Sequence, residues 1–214
     1  MEDLIILGSG GQAIDVIDLL IKENHQFKPV GIISKNTKVK HILDVPVISH
    51  DDDDIRNLDV KYFFPAIGFG QNSDNSLRKK IYQKIKSYDF TVPKIISKNA
   101  IIKSNVKIGD GAFIQSGTII SSGVTIENNV SIGNNVTIGH NCYIYDHVTI
   151  SGGCIFNGGV KIHSGAFLGL SAIVYNNVGK NAKVSPGAIC MKDVPDNHIA
   201  FTNSARLIKS FNEQ

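Results

Sequence analysis

The sequence has no tryptophan, only six prolines and three cysteines, and no long apolar run. A membrane-spanning helix needs about 18 consecutive apolar residues, so none is predicted, and no cationic, apolar leader precedes the first predicted strand. The net charge of +3 comes from scattered lysines rather than a basic block, which argues against nucleic-acid binding. We therefore expect a cytoplasmic protein whose cysteines, Cys142, Cys154 and Cys190, are buried core residues without a disulfide.

A large apolar residue returns at every sixth position through the middle of the chain. A helix would need a period of three to four residues and a flat strand a period of two, so a period of six indicates short strands joined by turns and stacked in coils. Three such strands would close one triangular coil of about 18 residues. The positions are Ile102, Ile108, Ile114, Ile120, Ile126, Ile132, Ile138, Ile144, Ile150, Phe156, Ile162, Leu168 and Val174.

Two further columns share this register. The residue two before each large one is small or β-branched, and we expect it to point inward as well. The residue three after each large one is nearly always Gly or Asn, the types that tolerate positive φ, so it is predicted to form a left-handed corner. Outward positions are expected to be mostly Ser, Thr, Asn, Asp and Lys. The corner positions are Asn105, Gly111, Gly117, Gly123, Asn129, Asn135, Asn141, His147, Gly153, Gly159, Gly165, Ser171 and Asn177.

The first ninety residues have a different pattern. An apolar strand at 3–7 is followed by a glycine turn and an amphipathic helix at 12–22, and further strands and a helix follow. This order predicts a small Rossmann-like parallel α/β domain over residues 1–92, followed by a left-handed β-helix domain with a C-terminal tail over 93–214. The later elements are strands at 29–34 and 61–68 and a helix at 76–86.

The glycine turn is a candidate nucleotide site. Gly8, Gly10 and Gly11 would let a diphosphate approach the backbone at a helix N-terminus. The third glycine of the dinucleotide fingerprint is missing, and Ser34 and Lys35 stand where an acid would follow the second strand. The alternative is that these glycines serve only close packing of the helix on the sheet.

The combination of these two domains, with Ile138-Gly139-His140-Asn141 inside the repeat and Val184-Ser185-Pro186-Gly187-Ala188 near its end, resembles a known group. It is similar to the sialic-acid O-acetyltransferase and nucleotide-amino-sugar N-acetyltransferase family. The resemblance implies a homotrimer that takes an acyl group from acetyl-CoA. It also implies that this co-substrate lies along the β-helix between neighbouring subunits, while the N-terminal domain binds the sugar nucleotide.

The resemblance also implies site residues. The sugar-nucleotide contacts fall on Gly10, Gly11, Gln12, Ser34, Lys35 and Gly68. The catalytic histidine falls on His140, and Asn141 takes the place of the acid that usually follows it. Cofactor contacts fall on Leu170 and Pro186. Independently of the resemblance, a backbone N–H at a glycine corner such as Gly158 or Gly159 is a candidate to meet the thioester oxygen, because glycine permits close approach.

A second histidine of the family, which touches the cofactor, matches His147 if two residues are missing before it, and otherwise matches the position of Thr149. His147 is preferred because it occupies a corner otherwise given to Gly or Asn. Either Asn141 or Asp146 could orient the ring of His140. The spacing of His140, His147 and His163 does not fit the zinc site of hexapeptide-repeat carbonic anhydrases, so no metal is expected.

Together, the residues and the resemblance predict an acetyl-CoA-dependent N-acetyltransferase. Its acceptor would be a nucleotide-linked 4-amino-dideoxy sugar for surface-glycan biosynthesis, with His140 as general base. The alternatives are O-acetylation of a sialic acid or another sugar hydroxyl, and a repeat scaffold that binds a sugar nucleotide without turnover. One imidazole would serve an amine or a hydroxyl acceptor, so the sequence leaves the acceptor, the sugar, the nucleotide and the length of the acyl group open.

Overall fold

The computed structural model describes residues 1–69 and 75–201. Its N-terminal part is a five-stranded sheet in the order β3-β4-β2-β1-β5, in which only β3 and β4 are antiparallel. The predicted α/β unit is therefore confirmed, and the β3–β4 hairpin is an addition that the sequence pattern did not show. The elements are β1 (Glu2–Leu7), α1 (Gly11–Lys22), β2 (Phe27–Ile33), β3 (His41–Ile42), β4 (Val45–Ser49), a 3-10 helix (Asp52–Asn57), β5 (Tyr62–Pro65) and α2 (Ser76–Ser87).

The rest of the described chain is a left-handed parallel β-helix of two-residue strands, as predicted. Its strands form three sheets, named here wall 1, wall 2 and wall 3 in the order in which the chain visits them. Wall 1 contains β6 (Ile95–Ile96), β9 (Phe113–Ile114), β12 (Ser131–Ile132), β15 (Thr149–Ile150), β18 (Phe167–Leu168), β20 (Lys183–Val184) and β22 (Ile199–Ala200).

Wall 2 has six strands and wall 3 has four. The turns that join the walls are named the 1/2, 2/3 and 3/1 corners. Wall 2 contains β7 (Ile101–Ile102), β10 (Ile119–Ile120), β13 (Thr137–Ile138), β16 (Ile155–Phe156), β19 (Ile173–Val174) and β21 (Ile189–Cys190). Wall 3 contains β8 (Lys107–Ile108), β11 (Thr125–Ile126), β14 (Tyr143–Ile144) and β17 (Lys161–Ile162).

The predicted inward columns form one continuous core, in which most side chains from Ile114 to Val184 have no more than 3% of their surface exposed. Ile102 is an exception at 38% exposed, because it lies in the first coil, where no earlier coil covers it. The three cysteines are buried and free. Burial of this column supplies the main stabilising term of the β-helix.

The predicted left-handed corners are confirmed at every position except Asn177, which does not have a positive φ. The chain is shorter there: wall 3 continues past β17 only as single-residue bridges joining Ile162, Val178 and Val194. Val178 pairs with Ile162, 16 positions back, so this 2/3 corner is two residues shorter than the others and has no left-handed residue. The next residue with positive φ, Asn181 at 53°, lies on the 3/1 corner.

The three walls differ in their outward side chains, and the expectation of mostly polar outward residues is wrong for two of them. Wall 1 presents Ile95, Phe113 and Phe167, all at most 5% exposed beneath the N-terminal domain. Wall 2 presents an aliphatic row that contains Ile101 and Ile155, which are 55% and 48% exposed. Wall 3 presents Lys107, Thr125, Tyr143 and Lys161 and fits the expectation.

The N-terminal domain packs on wall 1 through apolar and polar contacts. The rings of Phe64 and Phe113 lie 6.3 Å apart, edge to face. At one end of the contact, the Glu23 carboxylate accepts hydrogen bonds from Ser97 Oγ at 2.6 Å and from the backbone N–H of Lys98 at 2.5 Å. Val92 and Ile95 belong to the hydrophobic core of the N-terminal domain, although Ile95 is also the first residue of wall 1. The boundary between the two domains at residue 92 therefore stays a prediction.

Arg78 on α2 is a buried cation at this contact. Its Nη2 donates to the carbonyl oxygens of Asn129, His147 and Val148 at 3.1–3.4 Å, while Nε and Nη1 have no hydrogen-bond partner among the described residues. Burial lowers the pKa of Arg78 to about 10. The guanidinium therefore holds α2 against the 3/1 corner by hydrogen bonds to the backbone.

No described helix has the length and apolar character needed to cross a bilayer.

The corners allow a direct test of the left-handed conformation. Asn135 has φ 55°, and a side chain other than Asn, Asp or Gly costs about 1–2 kcal/mol in that region. We expect Asn135→Ala to lower the thermal unfolding midpoint while Asn135→Gly preserves it, measured by circular dichroism. Asn134→Ala, one residue earlier and without positive φ, is the matched control. Equal midpoints for the Ala and Gly variants at position 135 would contradict this account.

Candidate active site

The six residues assigned by resemblance to the sugar nucleotide line one pocket of about 460 Å³. It lies beyond the carboxyl ends of β1, β2 and β5, where parallel α/β sheets bind ligands. These residues are Gly10, Gly11, Gln12, Ser34, Lys35 and Gly68. The structure therefore brings together positions that are up to 58 residues apart in sequence, from Gly10 to Gly68.

The glycine turn of this pocket has two separate functions. Gly8 has φ 118°, and a β-carbon there would lie 2.6 Å from the carbonyl oxygen of Ala66, so this position serves packing between β1 and β5. At Gly10 and Gly11 an added β-carbon would meet nothing within 4 Å. The backbone at the start of α1 is therefore open to a ligand, and no side chain caps that helix end.

The pocket continues into a groove of about 400 Å³ that runs between α1 and wall 1 towards the 1/2 corner. Gly11, Gln12, Gly68 and Phe69 line both cavities. Gln12 Nε2 donates to Ser131 Oγ on wall 1 at 3.3 Å across this junction. The remaining groove residues are Asp15, Gln115, Ser131, Gly133, Asn134, Thr149, Ile150, Ser151, Gly152 and Leu170.

The predicted cofactor contacts do not share one corner. Leu170 and Pro186 follow β18 and β20 on the 1/2 corner, and Thr149 and Leu170 both line the groove. His147 lies on the 3/1 corner, at the other side of wall 1. Of the two alignments of the second histidine, the one that selects Thr149 keeps the proposed contacts on one side of the prism.

His147 is largely buried between α2 and the β-helix, and it also lines a cavity of about 410 Å³ beside α2. It is 8% exposed, its Nδ1 lies 2.9 Å from Asn129 Nδ2, and its ring meets Tyr82 of α2 edge to face at 5.8 Å. Burial lowers the pKa of His147 to about 4, although the Asp146 carboxylate acts in the opposite direction. The ring is therefore neutral at physiological pH and part of the contact between α2 and the β-helix.

His140 lies on the 2/3 corner and is exposed to solvent. Its ring lies against Gly158, one coil further on: a β-carbon at Gly158 would be 2.5 Å from Cε1 and 2.8 Å from Nε2 of His140. Glycine at 158 thus leaves the space that the ring occupies. Within one chain, His140 and the groove lie at opposite edges of wall 2.

Neither candidate for orienting His140 contacts its ring in one chain. Asn141 has φ 55°, and its Oδ1 lies against Gly123 of the preceding coil, the arrangement that Asn135 makes with Gly117. The Asp146 carboxylate accepts hydrogen bonds from the backbone N–H and Nδ2 of Asn128 at 2.8 and 3.1 Å on the 3/1 corner. In one chain, the side chains of Asn141 and Asp146 therefore contact the corners to which they belong.

Comparisons with known proteins agree with this architecture. Residues 3–85 match the family described as PglD N-terminal domain, and residues 115–210 match the family described as GMPPB C-terminal domain. No curated protein matches the sequence. The structure is similar to that of perosamine N-acetyltransferase (PerB) from Caulobacter crescentus in complex with CoA and GDP-perosamine, with 25% identity, 93% of each chain covered and a TM-score of 0.83.

Two further similar structures are less than 25% identical and therefore support the fold alone. The acetyltransferase domain of PglB from Neisseria gonorrhoeae has 21% identity and a TM-score of 0.84, covering 93% of this chain and 96% of that one. WeeI from Acinetobacter baumannii has 24% identity and a TM-score of 0.82, covering 97% and 100%. The fold of this chain is that of hexapeptide-repeat acetyltransferases. The resemblance predicted from the sequence is confirmed.

Several groove residues were not predicted from the sequence. Ser131 could have been found, because the hexad register places it outward on the wall that carries Thr149. Ser151, Gln115 and Asp15 had no such signal, since their proximity depends on how α1 lies on wall 1. Among residues 1–69 and 75–201, no three His, Cys, Asp or Glu side chains are grouped so as to hold a metal ion.

The buried ring of His147 predicts a pH dependence of stability. The unfolded chain takes up a proton at this histidine below its ordinary pKa of 6.5, whereas the folded chain does so only near pH 4. Stability is therefore lost as the pH falls from 6.5 to 4, by at most on the order of 3 kcal/mol. His147→Asn, which suits the left-handed corner, should flatten this part of the curve.

The measurement is the free energy of unfolding by urea at pH 7 and pH 4.5, compared between variant and parent. His198→Asn, at an exposed position, is the control and should keep the parent's difference between the two pH values. A parent-like difference in the His147 variant would show that the ring is not held neutral by burial.

Proposed function

We propose that this protein transfers the acetyl group of acetyl-CoA to the amine of a nucleotide-linked amino sugar of the 4-amino-dideoxy type, for surface-glycan biosynthesis. The observation that carries this proposal is the continuous cavity from the glycine turn to the 1/2 corner. It occurs in a chain whose structure is similar to an N-acetyltransferase holding CoA and GDP-perosamine. The proposed donor and acceptor are both cytoplasmic metabolites, so a cytoplasmic location belongs to the same proposal.

The nucleotide would lie over the start of α1, with its diphosphate near the backbone of Gly10 and Gly11. The sugar would then extend past Gln12 into the groove. Acetyl-CoA would lie along the 1/2 corner beside Leu170 and Pro186, and Thr149 on wall 1 would be its further contact in place of His147 on the 3/1 corner. This assignment puts the donor and acceptor at the same end of the groove.

His140 would be the general base in this reaction. The acceptor nitrogen, once it has lost the proton of its ammonium form, attacks the thioester carbonyl, and the C–S bond breaks as the amide forms. An imidazole near this nitrogen takes its second proton, and the CoA thiolate is protonated as it leaves. A backbone N–H at Gly158, directly beneath the His140 ring, is suited to the oxygen of the tetrahedral intermediate.

A homotrimer completes the site in this proposal. Wall 2 carries an aliphatic row, interrupted by Thr137, in which Ile101, Ile155 and Ile189 are exposed and Ile119 and Ile173 are half-buried. We take this apolar surface as an interaction face. A three-fold axis facing wall 2 makes a head-to-tail interface, in which one edge of this wall meets the opposite edge of the next copy. His140 on the 2/3 corner of one subunit then faces the groove at the 1/2 corner of its neighbour.

The activity is tested by release of free thiol from acetyl-CoA. The panel contains GDP-, UDP- and dTDP-linked 4-amino-4,6-dideoxy sugars, their 4-hydroxy counterparts, and sialic acids. We expect thiol release with at least one amino sugar and with none of the hydroxyl acceptors. Release with hydroxyl acceptors alone would indicate an O-acetyltransferase, and stabilisation by a nucleotide sugar without any turnover would indicate a binding scaffold.

Replacement of the proposed base gives the second test. His140→Ala should lower kcat by about 100-fold or more, because it removes the proton acceptor, while thermal stabilisation by CoA is retained. His163→Ala, which removes a ring that stacks on Tyr145 of wall 3 at 4.8 Å, is the matched control. Near-normal turnover of the His140 variant would remove this residue from the mechanism.

The trimer is tested by placing a charge on wall 2. Ile155→Asp should convert an assembly three times the 23.2 kDa mass of one chain into monomers and abolish turnover, because an unpaired carboxylate would be buried at the interface. Lys161→Asp, at the equivalent outward position of the next strand on wall 3, is the control. Light scattering after gel filtration gives the masses, and a trimeric Ile155 variant would contradict the proposed interface.

A further inference from the structure

The groove beside wall 1 has one ionised side chain among its described residues. Asp15, on α1, supplies this carboxylate, and every other described lining residue is neutral. The polar ones are Gln12, Gln115, Ser131, Asn134, Thr149 and Ser151. A single negative charge in an otherwise uncharged groove favours a cationic ligand group over a neutral one.

The negative charge of Asp15 borders the groove and is not neutralised by a cation among the described residues. Gln115 follows β9 on the 1/2 corner, and its Nε2 donates to Asp15 Oδ2 at 3.3 Å. Asp15 forms no ion pair with a described residue. Asp18, one turn further along α1, differs in this respect because Lys22 Nζ lies 3.0 Å from its carboxylate. The two acids on one helix thus have different surroundings, and only Asp15 lines the groove.

Ser151 is a second polar residue of this groove. Its side-chain oxygen is buried, the residue is only 9% exposed, and the hydroxyl has no hydrogen-bond partner among the described residues. An unpaired buried hydroxyl costs about 1–3 kcal/mol. Because this oxygen is covered from solvent, a ligand oxygen in the groove would pair with it only after a neighbouring side chain moves aside.

From these observations we infer that Asp15 is the residue that selects an amino sugar over its hydroxyl counterpart. This inference rests on the proposed function and names the determinant of its acceptor class. The acceptor reaches the site largely as an ammonium ion, and the Asp15 carboxylate binds that ion through a charge-assisted hydrogen bond. A hydroxyl at the same carbon carries no charge and gains little from the carboxylate.

Asp15 binds and positions the amine, and it is not the base of the reaction. The ammonium releases one proton to solvent before attack, the N–C bond forms as the C–S bond breaks, and the second proton passes to His140. The balance is one ammonium and one thioester giving one amide, one thiol and one proton. Asp15 therefore contributes to acceptor affinity and not to the chemical step.

The test compares Asp15→Asn with the matched control Asp18→Asn, in the full-length protein. Isothermal titration calorimetry measures the dissociation constants of GDP-perosamine and of the GDP-sugar with a hydroxyl in place of the amine. The corresponding UDP- and dTDP-linked pairs are measured in the same way. We expect the parent and the Asp18 variant to prefer the amine, and the Asp15 variant to lose about 10- to 100-fold in affinity for the amine alone.

The kinetic readout separates this role from a structural one. The kinetics use the panel sugar that the parent acetylates. Asp15→Asn should raise the KM of this amino sugar while leaving kcat, the KM of acetyl-CoA and the melting temperature close to the parent values. An unchanged preference for the amine, or an equal loss of affinity for both members of a pair, overturns the inference.

The two hypotheses fail in different ways. A parent that binds the amine selectively through Asp15 but releases no thiol would contradict the proposed function and leave the inference standing. If the parent acetylates an amino sugar and the Asp15→Asn variant does so with the same KM, the proposed function stands and the inference is contradicted. Binding of no pair at all overturns both.

Discussion

Stacking of one large aliphatic side chain per six residues is the interaction on which the rest of this structure depends. Each inward residue packs on its equivalent one coil away, as Ile120 does on Ile138 in the register of wall 2. The left-handed corners make this stacking possible, because they turn the chain between strands of only two residues. Every outward side chain is consequently fixed in position by a core that the same sequence pattern defines.

This core leaves the three walls free to differ outside. Wall 1 carries aromatic residues under the N-terminal domain, wall 2 carries an aliphatic row, and wall 3 is largely polar. The corners between the walls differ in the same way: His140 lies on one edge of wall 2 and the groove on the other. The proposed trimer would bring the two edges together, since one prism cannot do so by itself.

Much of the fold could be predicted from the sequence, because the hexad register fixes which residues point inward and which take positive φ. The exception at Asn177 arose where the 2/3 corner is two residues shorter than in the earlier coils, and such a deletion does not interrupt the run of corner-type residues. Of the candidate site, the glycine turn could be anticipated from the residues themselves, and the contact at Gly68 from the resemblance. Neither composition nor spacing could show the groove, because the groove depends on how α1 packs against wall 1 near Ser131.

The position of His147 shows that a positive φ alone does not decide between a structural and a functional role. Its φ is 64°, and its ring packs on Tyr82 and Asn129 and also borders a cavity beside α2. Arg78 donates to the carbonyl of the same residue. An unusual residue at a corner can thus be selected by a neighbouring domain, and only three-dimensional contacts distinguish this from a ligand site.

The regular repeat also determines how such a chain can tolerate insertions and deletions. Strands stack 18 positions apart up to β19, as the pairing of Ile119 with Thr137 shows, and 16 positions apart in the last coils, as the pairing of Ile173 with Ile189 shows. Loss of a whole coil would shorten the prism and keep all columns in phase, whereas loss of a single residue would turn each later side chain towards the wrong face. Length variation in this protein should therefore occur in whole coils, or in corner loops that leave the periodicity intact.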